Sequence, residues 1–203
     1  MIAGTVSVLA WTIAWGVMGV ALYISGVLNS PRTGPLWIAL VGGAIPWSMA
    51  GAFTFPSIVR DSSIRRKIAG FLIWALAYFL SFALAGLVGR ALDDTWGGFF
   101  YMLMGWSIGP AVGAFASTWL LTDHSKLLRS SIVAGIWIVG FFIGSYAGFV
   151  AVYVGPELAK ISIGALIGIP AALALGFGLG GAAGGLVGSA IAVTLTRLVT
   201  RFL

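Results

Sequence analysis

The stretch "GALIGIPAALALGFGLGGAAGGLVG", residues 164–188, carries nine glycines and no charged residue. In a water-soluble helix each interior glycine costs about 1 kcal/mol relative to alanine. In a membrane, however, helices associate through close packing, and small residues let two backbones approach each other. Five of the glycines follow steps of four or eight residues: Gly168, Gly176, Gly180, Gly184 and Gly188. This row predicts a membrane helix that packs closely against its neighbours.

The composition of the whole chain is typical of an integral membrane protein. Of its 203 residues, 60% are hydrophobic and only 8% are charged, whereas roughly 25% are charged in an ordinary soluble domain. Six runs without charge exceed the roughly 20 residues that a membrane-crossing helix needs; they cover residues 1–31, 33–59, 68–89, 95–122, 130–156 and 161–196. We therefore predict an all-α polytopic membrane protein with six transmembrane helices in a single transmembrane domain, residues 1–203.

Lysine and arginine are distributed unevenly over the predicted connections. Eight fall on the side that holds both termini, and three, Arg32, Arg90 and Lys160, fall on the other. Because positive residues are enriched in cytoplasmic loops, we expect both termini in the cytoplasm and the chain in the cell inner (plasma) membrane. The formal charge of +6 is then a cytoplasmic rim that faces lipid headgroups, and it does not indicate nucleic-acid binding.

An internal repeat divides the chain. Trp11, Trp74 and Trp137 are separated by 63 residues twice, and the same spacing relates Gly42, Gly105 and Gly168. A fixed spacing of this kind is the sequence signature of repeated structural units. We predict three tandem helical hairpins around a pseudo-threefold axis, covering about residues 1–63, 64–127 and 128–190. Since the sixth run is longer than one crossing requires, we expect a C-terminal amphipathic extension at about 189–203, either as a continuation of the sixth helix or as an interfacial helix.

One proline lies in the second helix of each predicted hairpin, two to five residues after the repeated glycine: Pro46, Pro110 and Pro170. A proline inside a helix removes a backbone hydrogen bond and clashes with the preceding turn. The sequence therefore predicts that these three helices bend at one depth.

Residues that could do chemistry are scarce. The chain has no cysteine and one histidine, which excludes the usual ligand sets for zinc and haem. No ionisable residue falls near a predicted midplane, where such residues mark ion and proton paths. The neighbours Asp123, His124 and Ser125 have the side chains of a hydrolytic triad, but consecutive residues do not place them within mutual hydrogen-bond reach. We predict no enzymatic activity, no metal and no cofactor.

The tryptophans have two interpretations. Trp11, Trp74 and Trp137 favour repeated packing inside the bundle, with contact to a lipid or ligand as the rival. Trp47 and Trp106 lie beside prolines and are the better candidates for ligand contact, because their indole N–H groups need partners when buried.

Two hypotheses for function follow. The first is a non-enzymatic accessory or scaffold subunit that packs against membrane lipids and other integral membrane proteins. The alternative is a channel or facilitator for a small neutral or lipid-like solute, with a path between the bent helices.

Overall fold

The chain is helical almost throughout the residues that the computed structural model describes, which are 2–27, 44–54, 63–91, 94–121 and 126–202. We number the helical stretches in chain order: α1 is Ile2–Val27, α2 is residues 44–54, α3 is Ile64–Ala91, α4 is Asp94–Leu121, α5 is Lys126–Ile167 and α6 is Ile169–Phe202. The predicted all-helical class is confirmed for these residues.

Three of the described helices are long and apolar enough to cross a membrane, over Gly4–Ala21, Leu127–Gly148 and Ile169–Thr200. Their outer faces, and that of α3, expose large aliphatic and aromatic side chains, among them Ile13, Leu72 and Phe142. Large exposed apolar surfaces mark sites of contact with a membrane or another protein. The structure therefore supports association with a membrane, whereas six crossings in three hairpins remain a prediction.

Helix α6 lies between α1 and α5 and is antiparallel to both. Along α1, Gly4 faces Arg197 and Gly16 faces Gly178. Along α5, Gly140 faces Gly188, and Gly155 faces Gly176. Helix α4 packs against both α3 and α5. The C-terminal end of α6 thus lies beside the first turns of α1 and α5.

The fifth helix is longer than the sequence analysis predicted. A connection was expected at residues 157–160. Helix α5, which is 42 residues long, instead continues through these residues and ends at Ile167. Glu157 and Lys160 form an exposed i,i+3 ion pair of 3.8 Å on the helix surface, so these charges do not require the helix to end. The chain reverses instead at Gly168, whose φ is +86°, in the left-handed region that glycine adopts without steric cost.

This shift of the turn corrects one further prediction and decides between two forms of another. Pro170 is the second residue of α6, where a proline is tolerated because the first N–H groups have no partner within the helix; the expected bend inside a helix at Pro170 is wrong. Residues 189–202 continue α6 without a break. Ser189, Ala192 and Thr196 are fully buried there, so over the described residues this segment is a continuation of α6 packed in the bundle, which was one of the two forms expected.

Candidate functional site

The three tryptophans spaced by 63 residues meet inside the bundle. The ring centroids of Trp11 and Trp74 are 4.9 Å apart, those of Trp11 and Trp137 5.4 Å, and those of Trp74 and Trp137 5.3 Å. All three rings are fully buried. Aromatic pairs at such distances add about 0.5–1.5 kcal/mol beyond the burial of their area. Residues far apart in sequence therefore form one compact ring cluster.

A second layer of rings lies one turn further along the same helices. Trp15, Tyr78 and Phe141 each follow a first-layer tryptophan by four residues, and they are spaced by 63 residues as well. Trp47 of α2 stacks on Trp15 at 6.0 Å and meets the edge of Tyr78 at 5.2 Å. The second layer was not predicted from the sequence, although the 63-residue spacing of its three rings is visible there.

Together the two layers form what we call the aromatic core: Trp11, Trp15, Trp47, Trp74, Tyr78, Trp137 and Phe141.

Two indoles of the aromatic core have hydroxyl partners. Trp11 Nε1 donates to Thr54 Oγ1 at 3.0 Å, and Trp137 Nε1 donates to Thr196 Oγ1 at 2.9 Å. A buried donor without an acceptor is costly, so these threonines fix the orientation of the two rings. Trp47 Nε1 is buried and has no hydrogen-bond partner in the described part of the chain.

Among the described residues no fully buried side chain carries a charge, although the Nε atom of Arg129 is enclosed near the end of α6. Apart from the tryptophans and Tyr78, the buried residues that carry polar side chains are all serines or threonines: Ser7, Ser48, Thr54, Ser81, Ser107, Ser117, Thr118, Ser130, Ser145, Ser189 and Thr196. Several donate to the carbonyl four residues earlier, as Ser145 does to Phe141 at 2.6 Å. No group of three or more potential metal ligands occurs among the described residues. Asp123, His124 and Ser125 lie outside them.

Trp11, Trp74 and Trp137, for which packing was the favoured interpretation, lie inside the bundle, and so does Trp47, a better candidate for ligand contact. Trp11, Trp47, Trp74 and Trp137 are 0% exposed and contact one another. Lipid does not reach these four rings here, and a ligand would have to displace a packed ring to touch them. Trp106 belongs to α4, but its side chain lies outside the described part of the structure.

The predicted glycine row lies where α6 meets α5. A Cβ atom at Gly184 would be 2.7 Å from the Gly144 carbonyl oxygen, and one at Gly176 would be 2.5 Å from the Cα of Pro156. Gly188 and the buried Gly180 face the same helix, near Gly140 and Gly148. Separations below 3.0 Å leave no room for a side chain, so the two backbones are in direct contact.

A second glycine face of α6, which the sequence analysis missed, meets α1. Gly178, Gly181 and Gly185 lie against Val20, Trp15 and Trp11. A Cβ at Gly185 would be 2.7 Å from the Trp11 carbonyl oxygen. The sequence signal was the pair of doublets, Gly180–Gly181 and Gly184–Gly185, because adjacent positions are about 100° apart on a helix. The two faces explain why α6 needs so many glycines.

The remaining predicted packing and bend residues lie in two helices, at the α5–α6 turn or outside the described residues. Pro46 belongs to α2, and Pro110 lies inside α4. Gly105 is also in α4, whereas Gly42 is outside the described residues. Gly168 occupies the α5–α6 turn and not a helix interior. The 63-residue spacing of the glycines therefore does not give Gly168 the helical setting of Gly105.

Arginines gather at the end of the bundle where α6 stops. Arg129 Nη2 donates to the Thr200 carbonyl at 3.0 Å, and Arg197 lies against Gly4. A cation near the last carbonyls of a helix stabilises them, since those carbonyls lack helical partners. These contacts join the ends of α1, α5 and α6. We call this the basic end.

One open apolar groove lies on the outside of the described bundle, between the end of α4 and the start of α5. It has a volume of about 330 Å³ and is lined by Phe115, Ala116, Trp119, Leu120 and Leu127. Phe115 and Trp119 stack at 5.8 Å, and Leu120 and Leu127 are exposed. We call it the α4–α5 groove. Its lining suits an aliphatic or aromatic occupant.

Comparison of this chain with protein-family models, with curated proteins and with solved structures gave no match.

Proposed function

We propose that the protein is a non-enzymatic accessory or scaffold subunit of the cell inner membrane, which packs against partner membrane proteins and lipids. The observation that carries this proposal is the division between its interior and its surface. The described interior is occupied by the aromatic core, close glycine contacts and neutral hydroxyls. The groups left to interact on the outer faces are mostly aliphatic and aromatic side chains.

The α4–α5 groove is the part of this surface that best suits a partner. Its lining residues come from two helices, and Trp119 and Leu127 are partly or largely exposed. Aromatic and aliphatic anchors in a pocket dominate the energetics of protein interfaces. We infer that a transmembrane helix of a partner protein lies in this groove.

The proposed architecture is six crossings in three hairpins, with both termini in the cytoplasm. It is supported by the first ring layer, in which Trp11, Trp74 and Trp137 converge. In the second layer Trp15 and Phe141 are 5.4 Å apart, and Tyr78 joins them through Trp47. It is also supported by α1 and α6, whose antiparallel contact brings Gly4 to Arg197. The N-terminal and C-terminal segments then share the basic end.

Purification of the tagged chain in native nanodiscs, followed by mass spectrometry, tests the accessory role. The variant Leu120→Ala with Leu127→Ala shortens the groove lining, while Leu9→Ala with Ile13→Ala changes the exposed face of α1 as a control. We expect the groove variant to recover about tenfold less partner, the change that 1.4 kcal/mol of lost contact energy gives. A chain that purifies alone, and whose deletion leaves other membrane complexes intact, would contradict the proposal.

The channel alternative gains no support from the described residues, because the aromatic core fills the region where the helices converge. We expect proteoliposomes that contain the protein to be no more permeable to urea or glycerol than empty liposomes. A clear increase, removed by blocking variants, would replace the accessory role with a facilitator.

A further inference from the structure

The α5–α6 hairpin has a long apolar end. From Trp137, whose indole donates to Thr196, α5 continues for 30 residues to Ile167, and in α6 Thr196 lies 27 residues after Ile169. At 1.5 Å per residue these two arms are about 45 Å and about 40 Å long. We call residues 161–175 the hairpin tip.

The hairpin tip begins where α5 reaches the far headgroups. Arg129 at the basic end and Lys160 are 31 residues apart on α5, which corresponds to about 46 Å of helix. A bilayer with its headgroups is about 40–45 Å thick. The exposed ion pair of Glu157 and Lys160 therefore reaches the headgroups opposite the basic end, and the hairpin tip follows it.

No face of the hairpin tip is protected around its turn. Residues 165–171 are all exposed, and residues 161–196 carry no charge. The side chain of Ile161 is 79% exposed and that of Leu166 is 84% exposed. A docked protein would cover one face, whereas a helical segment that is apolar all round is typical of lipid surroundings.

The hairpin tip also continues the outer apolar face of α5. Val150, Val154, Leu158 and Ile161 follow one another at steps of three or four residues and are all exposed. This face begins in Leu127–Gly148, the part of α5 that is long and apolar enough to cross the membrane, and it continues into the tip. The ion pair of Glu157 and Lys160 is its one charged interruption. A hydrocarbon environment therefore suits both the outer face of α5 and the hairpin tip.

We propose that the hairpin tip is embedded in the leaflet opposite the basic end, at the boundary between headgroups and acyl chains. Pro156 removes one backbone hydrogen bond of α5 just before the tip, at a point where the hairpin can turn toward the membrane plane. Apolar faces of interfacial helices lie about 5–10 Å deep at this boundary. The inference goes beyond the accessory role and does not depend on it.

Spin labels can measure this depth directly, because the chain has no cysteine and any single introduced cysteine is unique. We would label Leu166→Cys in the tip, Lys160→Cys at the ion pair and Val139→Cys in the exposed middle of α5, each in liposomes of defined lipid. Collisions with oxygen report lipid, and collisions with a water-soluble nickel chelate report water.

We expect the Leu166→Cys label to collide with oxygen more than with nickel, at a depth of about 5–10 Å. Nickel contact at Leu166→Cys as strong as at Lys160→Cys would overturn the proposal, and so would spin–spin broadening that shows a second copy at the tip. The Val139→Cys label distinguishes a wrong depth of the tip from a wrong membrane assignment. If the Val139→Cys label also collides with nickel, the protein is not embedded in the membrane.

Discussion

Thr54 shows how a single hydroxyl satisfies two buried groups. Its Oγ1 accepts from Trp11 Nε1 at 3.0 Å and donates to the Ala50 carbonyl at 2.7 Å. No water reaches this fully buried position to replace either bond. At the residue scale, then, the aromatic core depends on hydroxyls placed on the helices around it, and Thr196 accepts from Trp137 in the same way.

Replacing these threonines by valine tests that dependence. Thr54→Val and Thr196→Val keep the side-chain shape but remove the acceptor of an indole N–H. We expect each to lower the free energy of unfolding by about 0.5–2 kcal/mol, the range of hydrogen bonds in membrane helix bundles. Unfolding in mixed micelles, followed by tryptophan fluorescence, measures the change.

The control is Thr12→Val. Its hydroxyl donates only to the local Val8 carbonyl at 2.9 Å and is partly buried, so we expect a change below about 0.5 kcal/mol. Equal decreases in the free energy of unfolding in all three variants would show that the hydrogen bonds to the indoles contribute no more than a local one.

At the scale of elements, α6 is held on two sides by contacts that leave no room for side chains. Its α5 face could be predicted from the four-residue row of glycines, because that periodicity is visible in the sequence. Its α1 face depends on which helix lies on the other side. No local pattern specifies that neighbour, and only the fold brings Gly178 and Gly181 to α1.

Adding one methyl group tests these contacts. A Cβ at Gly144 would lie 2.6 Å from the Gly184 carbonyl oxygen, so we expect Gly144→Ala and Gly184→Ala to lower the free energy of unfolding by about 1–3 kcal/mol through overpacking. Gly135 of α5 has nothing within 4 Å of such an atom. We expect Gly135→Ala to be neutral or to add up to about 1 kcal/mol by helix propensity. Chemical unfolding of the three variants measures these changes. Equal changes in unfolding free energy for Gly135→Ala, Gly144→Ala and Gly184→Ala would contradict direct contact between the α5 and α6 backbones.

The α5–α6 turn offers a second test at this scale. Gly168→Ala places a side chain at φ +86°, which costs about 1–2 kcal/mol in the left-handed region. Gly168→Asn should lose less, since asparagine tolerates that region better. Gly164→Ala, whose new methyl would meet Ile169 at 3.8 Å, should not destabilise. Thermal unfolding of the set would contradict the structure if Gly164→Ala proved worse than Gly168→Ala.

For the whole molecule, the helical class and the three apolar spans of the described helices could be predicted from composition and run length, and the 63-residue spacing of Trp11, Trp74 and Trp137 was a signal of their convergence. The place of the last turn could not be predicted. Charged residues between apolar runs are a sign of a connection outside the membrane, but Glu157 and Lys160 form an ion pair on the surface of a helix. The backbone of Gly168, rather than solvation of those charges, ends α5.

Orientation is testable on the same cysteine-free chain. Thr5→Cys and Arg65→Cys are exposed positions at the basic end, and Lys160→Cys lies toward the opposite end. We expect an impermeant maleimide added outside intact cells to label Lys160→Cys alone, and to label the other two after the membrane is opened. External labelling of Thr5→Cys would place the N-terminus outside and reverse the proposed topology.

The pairing of α1 with α6 has a consequence for biosynthesis. The partner of Gly16 is Gly178, 162 residues later. At about 5–20 residues per second, the ribosome delivers that partner roughly 8–32 s after the first helix has emerged. During this interval the nascent α1 holds Gly16 and Gly19 without the neighbour that covers them, which makes it a natural client for insertion factors that shelter incomplete bundles.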